Sequence, residues 1–282
     1  MPTEPPLVTC VMPTRDRRGF VAKALACFLA QDYPALELVV VDDGRDAVAD
    51  LMPDDARVRY LRLSHTRSIG AKRNIAVQGA RGEIVVGWDD DDWHGPGRVS
   101  AQAAPLLAGT ADLTGLGTPV FLDARTGWFW ECDDPQWCLF AGQVIGGTLA
   151  FPRRWWLTSG GFPDTSLGED VHFAAAALRR HARLVAMPAG GRFLCVRHPG
   201  NTWGFDAGGL GDRDGRGPWR RVPAPDWLPE PDRVFYERLR PSGAAAGGPA
   251  PAPPPAGPPA APAPPPAGPP AAPAGRRRGP RR

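Results

Sequence analysis

The strongest constraint on architecture is a regular alternation, over residues 7–88, of short apolar runs with segments of helical period. Leu7 to Met12 (LVTCVM) is almost wholly apolar, rich in β-branched residues and closed by Pro13, as a buried strand requires. Phe20, Val21, Ala24, Leu25, Phe28 and Leu29 then recur at helical spacing until Asp32, Tyr33 and Pro34 stop the helix. Leu36 to Val41 (LELVVV) is a second strand, ended by the turn Asp42, Asp43, Gly44. Val58 to Leu63 gives a third, a helix capped by Ser68 runs to about Ala80, and Ile84 to Trp88 (IVVGW) gives a fourth. Strands joined by helices pair in parallel through crossovers. The expected fold class is therefore α/β, with a mostly parallel central sheet flanked by helices.

Beyond these strands the pattern becomes mixed. A helix is expected over Arg98 to Leu107, then a hairpin from Thr118 to Leu122 and Trp128 to Glu131 across Asp123 to Gly127. Gly146 to Pro152 (GGTLAFP) reads as a strand leading into Arg153 to Thr158, and Asp170 to Arg180 has helical spacing. With 282 residues, 43% of them apolar, there is enough to bury a core, but the composition is uneven. From Pro241 the chain is nearly all Ala, Pro and Gly, with APAPPPAGPPA at Ala250 to Ala260 repeated at Ala261 to Ala271. Such a tail has no core to bury and favours an extended, semi-rigid spacer.

The tail ends in Arg276, Arg277, Arg278, Arg281 and Arg282 and carries no acid. Those five charges exceed the net +3 of the whole chain, so residues 1–240 are net acidic and lack the basic signature of a nucleic-acid-binding body. The basic end can still touch an anionic surface. Cys10, Cys27, Cys132, Cys138 and Cys195 are odd in number and form no CxxC pair, which fits a reduced, intracellular protein. Met1 to Pro6 is polar with no apolar run behind a charged segment, and no stretch approaches the roughly 18 apolar residues of a membrane span. The expected location is the cytoplasm, peripheral to a membrane at most.

The chemistry concentrates at Asp89, Asp90, Asp91 and Asp92, directly after IVVGW. Four adjacent carboxylates raise one another's pKa unless positive charge compensates them. Hard oxygen ligands at the carboxyl edge of a sheet suit Mg²⁺ or Mn²⁺, which commonly shares its shell with substrate phosphates. A second acidic pair, Asp42 and Asp43, follows another strand, Lys72 and Arg73 lie on the intervening helix, and Glu169 and Asp170 open a later one.

In order along the chain stand LVTCVMPTRDR, AQDYPALELVVVDDG, GAKRNIAVQGARGEIVVGWDDDDW, GGF, and GED at Gly168, Glu169 and Asp170. Over about Leu7 to His198 this succession resembles the family 2 glycosyltransferases of the GT-A fold. The resemblance implies a single domain over residues 1–240, with a nucleotide-sugar-binding half at about 7–115, an acceptor half at about 116–240, and a tail over 241–282. Asp89, Asp90 and Asp91 then fill the family's Asp-x-Asp motif, Asp89 meeting the donor ribose and Asp91 the metal, with the ligand set open by one residue. Pro13, Thr14 and Arg15 would lie against the nucleotide, and Asp42 or Asp43 would accept a hydrogen bond from the base. Arg73, ahead of Lys72, would contact the diphosphate or base, and Asn74 would tie its helix to a neighbouring loop. Asp170 corresponds to the catalytic base of inverting members, with Glu169 its neighbour. His198 would complete the metal shell, with His94 the competing candidate, while His172 and His181 read as structural.

The implied activity is transfer of a hexosyl-type sugar from a nucleotide diphosphate-sugar to an acceptor hydroxyl of a saccharide, lipid-linked glycan or protein, with Mn²⁺ or Mg²⁺. Trp128, Trp130, Trp137, Trp155, Trp156 and Trp203 gather in the second half, where one or two indoles could stack on a sugar. Asp212, Asp214 and Gly215 read as a loop rather than a cation site. Two other classes remain open at this point. A sugar nucleotidyltransferase would need a Gly-rich phosphate loop where Pro13 to Gly19 holds one glycine. A non-catalytic glycan- or metal-binding module would have no need of repelling acids at three places.

Overall fold

The computed structural model describes residues 4–132, 143–202 and 219–239. Trp137, Trp203, the Asp212 to Gly215 segment and the tail from Pro241 lie outside the described residues. β1 (Val8–Thr14) and β2 (Leu36–Asp42) are buried at every position and pair in parallel, Val8 beside Leu36 and Thr14 beside Asp42. Unbroken apolar sequence is what a strand covered on both faces needs. The charged residue inside β2, Glu37, is satisfied in place: its carboxylate accepts from Thr9 Oγ1 at 2.7 Å and from Arg81 N and Nε at 2.7 and 2.6 Å.

β3 (Val58–Arg62) continues the sheet beside β2, and β4 (Ile84–Gly87) lies on the other side of β1, both parallel. The crossovers run through α1 (Arg18–Leu29), which buries the stripe Val21, Ala24, Leu25 and Phe28, and α2 (Ile69–Gly79). Ser68 Oγ accepts from Ala71 N at 3.0 Å and so caps α2 as its position implied. α2 turns Lys72, Arg73, Ala76 and Val77 inward, so its two cations sit on a buried face.

Three more strands complete a seven-stranded sheet in the order β10 (Leu184–Pro188), β6 (Leu113–Gly117), β9 (Ala150–Pro152), β4, β1, β2, β3. β9 runs antiparallel to β4 and β6, which makes an otherwise parallel sheet mixed. A second sheet has the order β12 (Trp219–Val222), β8 (Trp128–Cys132), β7 (Val120–Asp123), β11 (Phe193–Arg197), β5 (Trp93–His94). Its β7–β8 hairpin pairs Asp123 with Trp128, close to the turn read from sequence. α3 (Arg98–Leu107), α4 (Arg153–Ser159), α5 (Glu169–Arg179) and α6 (Glu230–Arg238) complete the described helices.

One expected strand is shorter than its sequence suggests. Gly146–Thr148 forms a 3₁₀ turn, and only Ala150–Pro152 is extended. The turn wins because side chains satisfy its polar groups: Thr148 Oγ1 donates to Ile145 O at 2.6 Å and accepts from Leu116 N at 2.8 Å, while Gln102 Nε2 donates to Thr148 O at 2.7 Å.

Candidate active site

A cleft of about 930 Å³ opens at the carboxyl ends of β1 and β4, where open α/β sheets place their ligands. Pro13, Thr14, Arg15, Arg73, Asp89 to Asp92, Glu169, Asp170 and His198 all line it, so residues distant in sequence meet in one place. Arg17 joins them from the start of α1. Its Nη1 donates to Asp90 Oδ1 at 2.8 Å and Asp91 Oδ2 at 2.6 Å, and its Nη2 to Gly200 O at 2.8 Å.

Asp91 is the most heavily partnered acid of the run. Its Oδ2 also lies 3.0 Å from His198 Nε2 and accepts from Asn201 Nδ2 at 2.9 Å. Burial opposes its charge, but Arg17 and the His198 hydrogen bond outweigh burial and hold the carboxyl at about 2. Asp90 is raised by burial, against the pull of Arg17. Asp92 is pushed well above the usual range by burial and by the charges of Asp91 and Asp89. Its Oδ1 accepts from Val196 N at 2.7 Å, which ties the acidic loop to β11.

Arg73 spans the cleft floor, donating through Nη2 to Asp89 Oδ1 at 2.7 Å and through Nε to Glu169 Oε1 at 3.1 Å. Burial raises the Glu169 carboxyl, Arg73 draws it back, and the neighbouring Asp170 charge raises it again. Asp170 opens α5 directly after Glu169, behind Gly168 in the left-handed region at φ 75°. A Cβ on Gly146 would fall 2.2 Å from Asp170 Oδ2, and one on Gly147 2.1 Å from Asp89 Oδ2. The bare turn therefore lets both carboxylates rest against backbone.

Other sequence candidates take different places. Asp42 is fully buried and accepts from Gly44 N at 2.8 Å, Val48 N at 3.2 Å and Tyr60 Oη at 2.7 Å, with Arg62 Nη1 at 3.2 Å. Asp43 accepts from Lys72 Nζ at 2.8 Å and Arg67 N at 2.7 Å. Neither is among the cleft-lining residues, because the chain's own donors already engage them. Lys72 lines the cleft but is buried, its Nζ also donating to Thr14 O at 2.9 Å. Asn74 ties α2 to the next segment, bonding both Phe162 N and O and accepting from Trp156 Nε1 at 2.8 Å.

His94 does not face the cleft as a free ligand: Nε2 meets Asp89 O at 2.9 Å and Nδ1 is engaged by Arg98. His172, read as structural, is exposed on the cleft wall, with Nδ1 2.7 Å from Gly168 O. Trp128, Trp130, Trp155 and Trp156 do not line the cleft, so none is placed to stack on a sugar there. Sequence reasoning passed over Arg17, Asn201, Gly146 and Gly147. Asn201 left one trace, the turn His198, Pro199, Gly200, Asn201, which its Oδ1 closes by accepting from His198 N at 2.5 Å.

Residues 9–179 match the model of the family described as glycosyl transferase family 2. The chain belongs to this family. Among its curated relatives, the succinoglycan biosynthesis protein ExoO of Rhizobium meliloti is 35% identical over 213 residues, covering 68% of this chain and 61% of that protein. The putative colanic acid biosynthesis glycosyl transferase WcaA of Escherichia coli is 34% identical over 104 residues, 35% of this chain and 37% of WcaA. This family 2 chain thus matches less than two thirds of either relative. Among solved structures, the 1–349 fragment of S. aureus TarS in complex with UDP-GlcNAc superposes with a TM-score of 0.58 at 18% identity, covering 71% of this chain and 62% of that fragment. The mannosyltransferase PcManGT of Pyrobaculum calidifontis, in complex with GDP-Man and Mn²⁺, gives 0.54 at 22%, covering 84% and 71%. Both likenesses concern the fold, which is GT-A. Among the described residues no helix is long and apolar enough to cross a membrane.

Proposed function

We propose that this glycosyltransferase moves a hexosyl unit from a nucleotide diphosphate-sugar to an acceptor hydroxyl with inversion, Asp170 serving as base. One observation carries the reading: Asp89 with Arg73, Asp91 with His198, and Asp170 converge on a single cleft at the carboxyl ends of β1 and β4. Asp170 takes the proton of the acceptor hydroxyl while the hydroxyl oxygen bonds to the anomeric carbon. The bond from that carbon to the diphosphate breaks, and its electron pair leaves with the nucleoside diphosphate. Thr14 and Arg15 lie against the nucleotide, and Arg73 holds Asp89 towards the ribose while steadying Glu169 beside the base.

The donor set suits a divalent cation of the Mn²⁺ or Mg²⁺ kind. Asp91 Oδ2 and His198 Nε2 lie 3.0 Å apart, Asp91 is held ionised, and Arg17 already places positive charge on the same oxygen. Among the described residues no group of three ligating side chains closes around one point, which fits a shell shared with phosphate oxygens. Asp91 and His198 would hold such an ion, Asp89 lying nearby, and when bound it would supply charge to the departing diphosphate. The Mn²⁺ and GDP-Man of PcManGT and the UDP-GlcNAc of TarS support a nucleotide-sugar donor of this kind. Relatives named for colanic acid and succinoglycan biosynthesis support a saccharide as acceptor.

Thermal unfolding with UDP, GDP and dTDP, each with Mn²⁺, tests the donor site. One of the three is expected to raise Tm, since a ligand at a hundred times its Kd stabilises by about 2.7 kcal/mol. The shift should vanish with chelator and in Asp91→Ala. No shift with any nucleotide would remove the donor assignment, and Asp170→Ala turning over donor at the parent rate would remove the base.

A further inference from the structure

Arg98 is fully buried on α3, yet among the described residues no carboxylate is within ion-pair distance of it. Its guanidinium donates through Nε to Gln102 Oε1 at 3.0 Å, through Nη2 to Gly87 O at 2.7 Å, and through Nη1 to His94 Nδ1. The rings of Trp88 and Phe193 flank it, with centroids 5.2 and 5.5 Å away. Burial draws its pKa down to about 10, so it stays charged at neutral pH. A buried cation without a carboxylate is costly. Filling space would not need one, because an apolar side chain of similar volume would pack there without that cost.

The bonds it makes are directional. Guanidinium has no acceptor, so His94 Nδ1 must accept, and the proton of the neutral imidazole sits on Nε2. That proton is donated to Asp89 O at 2.9 Å. Burial, followed by the Arg98 charge, keeps His94 well below the imidazole range and hence neutral. Gln102 gives its oxygen to Arg98, which turns its Nε2 onto Thr148 O at 2.7 Å. Thr148 closes the turn whose Gly146 and Gly147 abut Asp170 and Asp89. One guanidinium therefore reaches the end of β4, the backbone of the acidic loop and the turn behind the base.

We propose that Arg98 is a positioning residue for transfer, fixing through His94 and Gln102 the spacing between the Asp89 loop and the Gly146–Thr148 turn that backs Asp170. The proposal rests on the donor and base assignments made above for Asp89 and Asp170. Transfer in line depends on that spacing, and a displacement of about 1 Å can cost ~100-fold in rate.

Single-arm variants of the full chain test it. Gln102→Glu keeps the acceptor for Arg98 but replaces the donor to Thr148 O by an oxygen, at nearly unchanged volume. His94→Phe keeps a ring on Trp88 and removes both hydrogen bonds. Amide hydrogen exchange should speed up at least about tenfold over Ile145–Leu149 alone in Gln102→Glu, over Asp89–Asp92 alone in His94→Phe, and over both in Arg98→Met. In calorimetry with UDP or GDP and Mn²⁺, His94→Phe should weaken nucleotide binding at least about fivefold. Gln102→Glu should leave binding within about twofold while lowering turnover of UDP-GlcNAc or GDP-mannose at least about tenfold.

Where Arg98→Met fails to fold, the two single-arm variants decide. Exchange unchanged in both segments, or raised equally in both by either variant, would overturn the proposal. Asp170→Asn, run in parallel, separates the two ideas. Turnover lost there with exchange unmoved in Gln102→Glu and His94→Phe removes the Arg98 role alone. Turnover kept there with arm-specific exchange intact removes the base assignment and leaves Arg98 as the link between the two segments.

Discussion

Two strand ends in the same sheet carry buried carboxylates, and they are held in opposite ways. At the end of β2, Asp42 takes its donors from Gly44, Val48, Tyr60 and Arg62, all within 20 residues of it. At the end of β4, Asp91 takes its donors from Arg17, His198 and Asn201, the nearest of them 74 residues away and none of them within a strand. The first is a local knot that closes a turn and leaves no oxygen facing the cleft. The second is a meeting point of distant segments, kept charged by partners that a ligand can replace. Burial alone does not distinguish a structural acid from a working one; the provenance of its partners does.

The contrast can be broken most directly through function. Asp170→Asn is expected to lower transfer by about a thousandfold or more while leaving Tm within a few degrees, because on the proposed mechanism it removes a base and not a support. Asp42→Ala should do the reverse. It strips the acceptor from several buried donors, at a cost of about 3 kcal/mol read from denaturant unfolding, while nucleotide binding by the folded fraction persists. Equal loss of stability in both variants would erase the distinction.

Acid sharpens it further. Asp91 is depressed to about 2 in the folded chain against an ordinary 3.8, so it contributes stability that is complete above the ordinary value and is lost as pH falls through about 2. The Asp91→Asn variant should lack that part of the acid-unfolding curve, of order 2 kcal/mol, and parent-like behaviour would mean that the Arg17 clamp does not persist in solution. The smallest expected effect is on Arg17 itself. Arg17→Ala should enlarge the Tm gain on adding Mn²⁺ by a few degrees at most, because the proposed cation would meet the carboxylate oxygen that the guanidinium now occupies. A smaller gain would make Arg17 part of the metal site instead of its rival.

The same contrast explains what could be read from sequence. β1 to β4, the two crossover helices and the Ser68 cap were legible because their signals are local: unbroken apolar runs, a helical stripe, a hydroxyl before a helix. The acidic run, Arg73, Asp170 and His198 were legible as motifs, and they do share one cleft. Arg17 was not, being one of three arginines within residues 15–18 and bonded to Gly200, 183 residues away. β5 is two residues long and gains its place only by pairing with Phe193 and Leu194, a pairing no periodicity announces. The tryptophans were not legible for a related reason, since an indole suits a core or a sugar equally well; among the described ones, Trp156 bonds Asn74.

The Gly146–Gly147 turn carries a consequence for anyone who maps this enzyme by random mutagenesis. Neither glycine contributes an atom to transfer, yet any side chain at either position must displace the carboxylate resting on it. Gly147→Ser and Gly146→Ala should therefore appear among the inactive clones beside Asp89→Ala and Asp170→Ala, in folded, soluble protein. A catalogue of lesions would draw the outline of the site partly from residues that are essential for being small.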